Sequence, residues 1–194
     1  MLFSNRILLR AIEEEDLPLM AKWRSRSEVY EYFYEYLPIS TRQQKNWYEK
    51  QLGDSTGINF IVAKTTGEAI GTVSIYHIDW RSRKAEWGRL LIGDPDWRSG
   101  GIGSEIEAMI LEYCFDHLNL NKLYCEVLAE NKNVISLHKK FGFKEDGILR
   151  EHAYKKGYYH DVITMSMLKT EYSYERNSGL LAKILLRMRN KGDA

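Results

Sequence analysis

Apolar and polar positions repeat along this chain with two periods, and the changes of period mark its elements. Ile7-Leu8-Leu9 is a short apolar run and reads as a first strand. Glu14 to Arg24 reads as a helix, with Leu17, Met20, Ala21 and Trp23 as its apolar content. Val29 to Leu37 carries Tyr30, Tyr32, Phe33, Tyr34 and Tyr36. Its tyrosines alternate as in a strand, yet Tyr30 and Tyr34 also fall at helical spacing, so periodicity leaves both readings open. Ser40 or Thr41 is placed to cap a helix over Arg42 to Leu52. Strand patterning follows. Asn59–Lys64 and Ala69–Tyr76, joined by Thr65-Thr66-Gly67-Glu68, predict a hairpin. Ala85–Ile92 predicts the next strand, after the polar link Asp79 to Lys84.

The clearest helix follows Arg98-Ser99-Gly100-Gly101-Ile102-Gly103-Ser104. Ile102, Ile106, Met109, Ile110, Tyr113 and Cys114 recur at helical spacing, opposed by Glu105, Glu107, Glu112 and Asp116. Leu123–Leu128 predicts a strand, and Asn133–Phe141 a short helix that Gly142 ends. Phe143 onward predicts a strand, Lys155-Lys156-Gly157-Tyr158 a turn, and Val162–Leu168 the last strand. Hairpin and crossover connections in one chain imply a mixed α/β (α+β) fold: a central mixed, mostly antiparallel sheet flanked by helices. Residues 1–170 form that body, and 171–194 a C-terminal tail. In the tail Leu180, Leu181, Ile184, Leu185 and Met188 recur at helical spacing beside Lys183, Arg187, Arg189 and Lys191, which predicts an amphipathic helix, packed on its own body or partly frayed, with a second subunit or an acidic membrane surface as the other readings. A chain ending near Glu175 is expected to stay folded and active, with any change confined to association, such as a homodimer.

Composition narrows the class. A chain of 194 residues, 44% of them hydrophobic, builds one core. Its net charge of +1, from 28 basic and 27 acidic side chains, excludes a dedicated nucleic-acid binder. No run approaches the ~20 apolar residues of a membrane span, and Met1 to Arg6 lacks the layout of a secretion signal. A cytoplasmic setting is expected, with Cys114 and Cys125 as core thiols. The five histidines show no metal-ligand spacing, so no metal is expected.

The segment Arg98–Ser104 joins a strand to a strong helix. Backbone N–H groups point out of a helix start, and the dipole places about +0.5 charge there, which favours a phosphate. The spacing Gly100-Gly101-Ile102-Gly103 is neither a dinucleotide fingerprint nor a nucleotide-triphosphatase loop. A plain tight turn is the other reading. The wider context favours a ligand. Arg98, Gly101 and Gly103 match the Q/R-x-x-G-x-G/A motif by which GNAT acetyltransferases hold acetyl-CoA. Asn131 to Phe143 resembles the family's Asn-led helix ending in Gly-Phe. The chain thus resembles the GNAT superfamily over about four fifths of its length.

The resemblance implies a site. Backbone groups of Leu90, Leu91 and Ile92 would pair with pantetheine, the amides of Arg98, Ser99, Gly100, Gly101, Ile102, Gly103 and Ser104 would hold the pyrophosphate, and Asn131 would touch the cofactor from the other side. Glu86 resembles the base of several relatives, with Glu126 a weaker alternative. A plain surface carboxylate beside Lys84 or Arg89 is the competing reading of Glu86. His138 stands where many relatives carry a tyrosine that protonates the departing thiol, and it can donate near neutral pH. It would also contact the cofactor. The competing reading is a hydrogen-bonded core histidine. Tyr30 and Tyr34 would wall the acceptor pocket with Glu86, unless the aromatic cluster simply covers the sheet end.

Glu145 to Val162, with Tyr154, resembles a branch containing amino-sugar-nucleotide and ribosomal-protein N-acetyltransferases. The acceptor that this implies is a UDP-linked 4-amino-4,6-dideoxy sugar of nonulosonic-acid synthesis. A protein N-terminal amine and a polyamine remain open. So does a different class, a non-catalytic acyl-CoA-binding module, which would bind CoA without releasing thiol.

Overall fold

The computed structural model describes residues 2–26, 29, 33–34 and 39–189. Strands β1 (Leu2–Phe3), β2 (Ile7–Ala11), β3 (Ile58–Lys64), β4 (Ala69–Asp79), β5 (Lys84–Ile92), β6 (Lys122–Leu128), β7 (Lys144–Lys155) and β8 (Tyr158–Leu168) form one sheet. Their order is β1-β2-β3-β4-β5-β6-β8-β7. Every neighbouring pair is antiparallel except β5 and β6. A parallel pair needs a crossover, and α3 (Ile102–Glu112) supplies it. The remaining helices are α1 (Leu17–Arg24), α2 (Thr41–Leu52), α4 (Lys132–Phe141), α5 (Lys169–Ser178) and α6 (Leu180–Arg189). This is the mixed, mostly antiparallel sheet with flanking helices that the chain pattern implies.

Helices cover both faces, which explains the unbroken apolar runs of the central strands. In β2, Ile7 and Leu9 join the main core with Ile106, Met109 and Ile110 of α3. Leu8 between them packs with Leu17 and Met20 of α1 on the opposite face. β3 repeats the division, with Val62 in the main core and Ile61 and Ala63 in the second cluster.

The helix expected over Glu14–Arg24 opens as a 3-10 turn, Glu14–Asp16, before α1. Pro18 lies in the first turn of α1, where its missing N–H leaves no bond unmade. At α2, Ser40 is the cap: its hydroxyl accepts from the Gln43 N–H at 3.2 Å while Gln43 Oε1 accepts from the Ser40 N–H at 2.9 Å. α3 runs on into a π turn, Tyr113–His117. Glu105 and Glu107, which the helical pattern places on its polar side, are each 1% exposed.

α5 was not legible. Its one buried residue is Tyr172, which stacks on Phe115 at 4.8 Å and donates its hydroxyl to Asp116 at 2.7 Å. α6 then lays Leu181, Ile184, Leu185 and Met188 into the main core. The packing gives a chain ending near Glu175 a different expected fate. Its loss would strip a fully buried leucine, Leu181, from the core. We expect Leu185→Ala to cost about 2–5 kcal/mol of stability in urea denaturation, and removal of α6 to cost more; a truncated chain with an unchanged urea midpoint would show that the docking contributes nothing.

Candidate active site

β5 and β6 separate directly after Glu86. Their parallel pairing covers only Lys84 with Lys122, Ala85 with Leu123 and Glu86 with Tyr124. Beyond that point β5 pairs on its other side alone, Leu91 with Thr72 and Ile92 with Gly71 of β4. The β4–β5 register shifts between Thr72 and Ser74, and Arg89 adopts φ 52° at the bulge. Gly71 is required there, since a Cβ on it would lie 2.2 Å from the Leu91 carbonyl oxygen. The backbone of Leu90 to Ile92 therefore has no strand partner toward β6. A cleft of about 1280 Å³ opens at the parting.

The cleft reaches the segment before the glycine turn at Arg98. Gly100 and Gly101 take φ 72° and 78°, values that favour glycine. Gly101 begins α3 with no side-chain cap hydrogen bond, and the Arg187 guanidinium lies nearby, 3.7 Å from where a Cβ on Gly101 would be. A Cβ on Gly103 would meet nothing within 4 Å. Arg6 donates to the Gly100 carbonyl at 3.1 Å and to the buried Glu105 at 2.8 Å, and Ser4 also donates to Glu105. The carboxylate in the first turn of α3 is thereby compensated. Arg98 donates to the Ile92 carbonyl at 3.1 Å. An open helix start, two glycines that hold the turn clear and nearby guanidinium groups fit a phosphate-bearing group such as CoA.

Of the residues expected in a site, Tyr34, Glu86, Leu90, Leu91, Ile92, Arg98, Asn131 and His138 line this one cleft. Asn131 also caps α4, accepting from the Val134 N–H at 3.4 Å. Ser99, Gly100, Gly101, Ile102, Gly103 and Ser104 do not line the cleft, which takes only Arg98 from this segment, and Ile102 packs in the core. Tyr30 lies outside the described residues. Tyr154 is not in the cleft: it is 53% exposed and packs on Tyr159 at 5.0 Å. β7 loses register between Leu149 and Ala153, with Glu151 at φ 50°, and its cleft residue is His152 instead.

Glu86 is no surface carboxylate. It is 7% exposed, accepts from the Tyr76 hydroxyl at 2.9 Å, and lies 2.9 Å from Nδ1 of His77. Arg89 lies over the Tyr76 ring, 4.2 Å from its centroid. Glu126 on β6 is held in parallel fashion: the Tyr34 hydroxyl donates to it at 3.0 Å and His152 Nε2 lies 3.8 Å away. Burial, reinforced by the carboxylate each one faces, pushes both tyrosine hydroxyls far above their usual range, so they stay donors.

His138 is buried. Its Nδ1 lies 2.8 Å from Glu107 Oε1, and its ring sits edge-on to Trp87 and beside Phe143, with centroids 5.4 and 5.3 Å away. Cys125 also lines the cleft, but burial and then the charges of Glu107, Glu86 and Glu126 push its thiol well above the ordinary value. It remains protonated and is a poor nucleophile, which favours direct transfer over an acyl-cysteine route. Among the described residues, Gln44 Oε1 and Nε2 and Trp87 Nε1 are buried with no hydrogen-bond partner, and both residues line the cleft.

Tyr76, His77, His152, Glu107 and Gln44 were missed in the sequence. The one available signal was that Glu105 and Glu107 alternate with Ile106 and Ala108 inside the most apolar part of the helix.

This architecture, a sheet parted beside a glycine-led helix, is that of an acyl-CoA transferase. The sequence profile of the acetyltransferase (GNAT) domain family matches residues 6–144. Spermidine N(1)-acetyltransferase of Vibrio cholerae is 29% identical over 169 residues, 87% of this chain and 96% of that protein. An uncharacterized N-acetyltransferase, p20, of Bacillus licheniformis is 32% identical over 177 residues, 89% and 98% of the two chains. The crystal structure of the V. cholerae spermidine enzyme with CoA and spermine superposes with a TM-score of 0.81 at 29% identity, covering 86% of this chain and 98% of that one. The chain belongs to the GNAT acetyltransferase family and is an N-acetyltransferase with acetyl-CoA as its acyl donor.

Because Gly103 faces open space, Gly103→Trp should fold normally while filling the volume of the phosphates. Calorimetry should show CoA affinity weakened more than about tenfold; undiminished binding by a folded variant would move the pyrophosphate elsewhere.

Proposed function

We propose that this enzyme acetylates a primary amine of a polyamine, with Glu86 and Glu126 holding the cationic acceptor at the tyrosine-lined end of the cleft. The observation that carries this reading is the pair of carboxylates, each fixed by a tyrosine hydroxyl and approached by a histidine. A chain of ammonium groups is attracted to such a pair. A UDP-linked amino sugar would bring a diphosphate toward the same carboxylates at a Coulomb cost. The spermidine acetyltransferases among the relatives support the polyamine, so the amino-sugar acceptor gives way to it.

An amine with a pKa of ~10 has no lone pair until it loses a proton. In this reading Glu86 takes that proton, directly or through water, while Tyr76 and His77 hold its two oxygens in place. Acetyl-CoA supplies the acetyl group as a thioester. His138, on the opposite side of β5, gives a proton to the departing sulfur. Buried Cys125 takes no part.

Spermidine should exceed both a UDP-linked 4-amino sugar and a ribosomal peptide in kcat/KM by at least about tenfold, measured side by side as free-thiol release; a sugar or peptide that wins would overturn the acceptor. Within the site, Glu126→Gln should act mainly on the KM for spermidine. Glu86→Gln should lower kcat by about 10²–10⁴-fold. That loss should be greatest at low pH, where the unprotonated amine is scarcest. A Glu86→Gln enzyme with the wild-type rate profile would remove Glu86 from the chemistry.

A further inference from the structure

Glu107 is a carboxylate on the helix that the glycine turn begins, 1% exposed and surrounded by apolar side chains of that helix. Among the described residues its one hydrogen-bond partner is His138, reached across to α4 at 2.8 Å. We propose that Glu107 is the positioning residue that lets His138 act as the acid toward the departing thiolate. The proposal rests on the role given to His138 above.

The geometry separates the two ring nitrogens. Nδ1 is committed to Glu107, which leaves Nε2 as the nitrogen available toward the cleft that His138 lines. The rings of Trp87 and Phe143 pack against the imidazole and limit its rotation. The contact also solves a charge problem. An imidazolium at 5% exposure among aromatic rings would be an isolated buried cation. Beside the Glu107 carboxylate the doubly protonated ring belongs to a pair of zero net charge. Burial raises the Glu107 pKa, and the hydrogen bond and charge of His138 draw it back. Either way a proton stays on the line between Nδ1 and Oε1.

The step balances. The Nε2–H bond breaks, an S–H bond forms on the leaving thiolate, and His138 is left neutral with Nδ1–H still donated to the Glu107 carboxylate. The C–N bond forms as the C–S bond breaks, and the ammonium nitrogen loses two protons, one before attack and one as the amide forms; both pass through Glu86 to solvent, His138 regains one from solvent, and one proton is released per acetyl group transferred. Other ionisable groups around the pair do not compete for the ring. Cys125 of β6 is a buried thiol kept neutral, and Glu86, Glu126 and Asp146 act on it from further off. On α4 itself Lys140 faces solvent and Lys139 pairs with Glu145 at 2.8 Å.

The test is Glu107→Gln, which keeps size and a hydrogen-bond acceptor but removes the charge. The His138 imidazole should then titrate lower, followed by NMR. The basic limb of the kcat profile with acetyl-CoA and spermidine should move toward lower pH by about one pH unit, roughly a tenfold loss of rate on that limb. CoA affinity should stay within about twofold of wild type. Glu107→Asp, which keeps the charge, should leave the limb in place. His138→Tyr restores the neutral donor common in the family; in that background Glu107→Gln should no longer move the limb. An unmoved limb and an unmoved imidazole titration in Glu107→Gln would overturn the positioning role. If His138→Ala itself keeps wild-type kcat at every pH, the assignment of His138 fails first; a slow His138→Ala enzyme with an unmoved Glu107→Gln limb sinks only the inference.

Discussion

Three residues of parallel pairing between β5 and β6, followed on the β4 side by a bulge at Arg89, are the constraint on which the site depends. A sheet interior normally leaves no ladder unmade, because an unpaired backbone N–H or carbonyl away from water is costly. Here β5 is bent away while its other edge stays paired to β4, and Gly71 permits the close approach to Leu91 that the bend requires. The parting exposes a strand edge inside the protein and makes room for a ligand that can pair with it. The turn after β5 then leads from Arg98, at the cleft, into the start of α3.

The pleat of β5 assigns the chemistry to sides. Adjacent residues of a strand point to opposite faces. Glu86 meets Tyr76 of β4 on one face, and Trp87 meets His138 of α4 on the other. Glu86 and His138 therefore lie on opposite sides of β5 at the point where it leaves β6. Glu126, across the parting on β6, takes Tyr34 as Glu86 takes Tyr76, so the acceptor end carries two oriented carboxylates.

The central strands were legible because both of their faces are buried, which turns Ile7-Leu8-Leu9 and Phe60 to Ala63 into plain apolar runs. The glycine turn was legible because two positive-φ positions demand glycine. What failed has a common cause: side chains whose role is set by a partner far along the chain. Glu105 and Glu107 look like a solvated helix face until Arg6 and His138 are brought to them. Tyr154 and His152 differ by the register slip in β7, which local sequence does not announce. α5 offers one buried side chain and no periodicity.

The two buried glutamates show what α3 does beyond packing. Residues two apart on a helix point roughly 200° apart, so Glu105 turns to Arg6 while Glu107 turns to His138 of α4. The second pairing suits the acid's role proposed for His138, which in many relatives of this family would fall to a tyrosine. A tyrosine hydroxyl donates a proton from a neutral group and needs no counterion in an apolar pocket. A histidine donates strongly only when charged, and an unpaired charge at this depth would instead be lost by deprotonation. A histidine at position 138 is therefore useful as an acid only with an anion within hydrogen-bond reach. α3 supplies one from its buried side, so Glu107 and His138 are a matched pair rather than two separate departures.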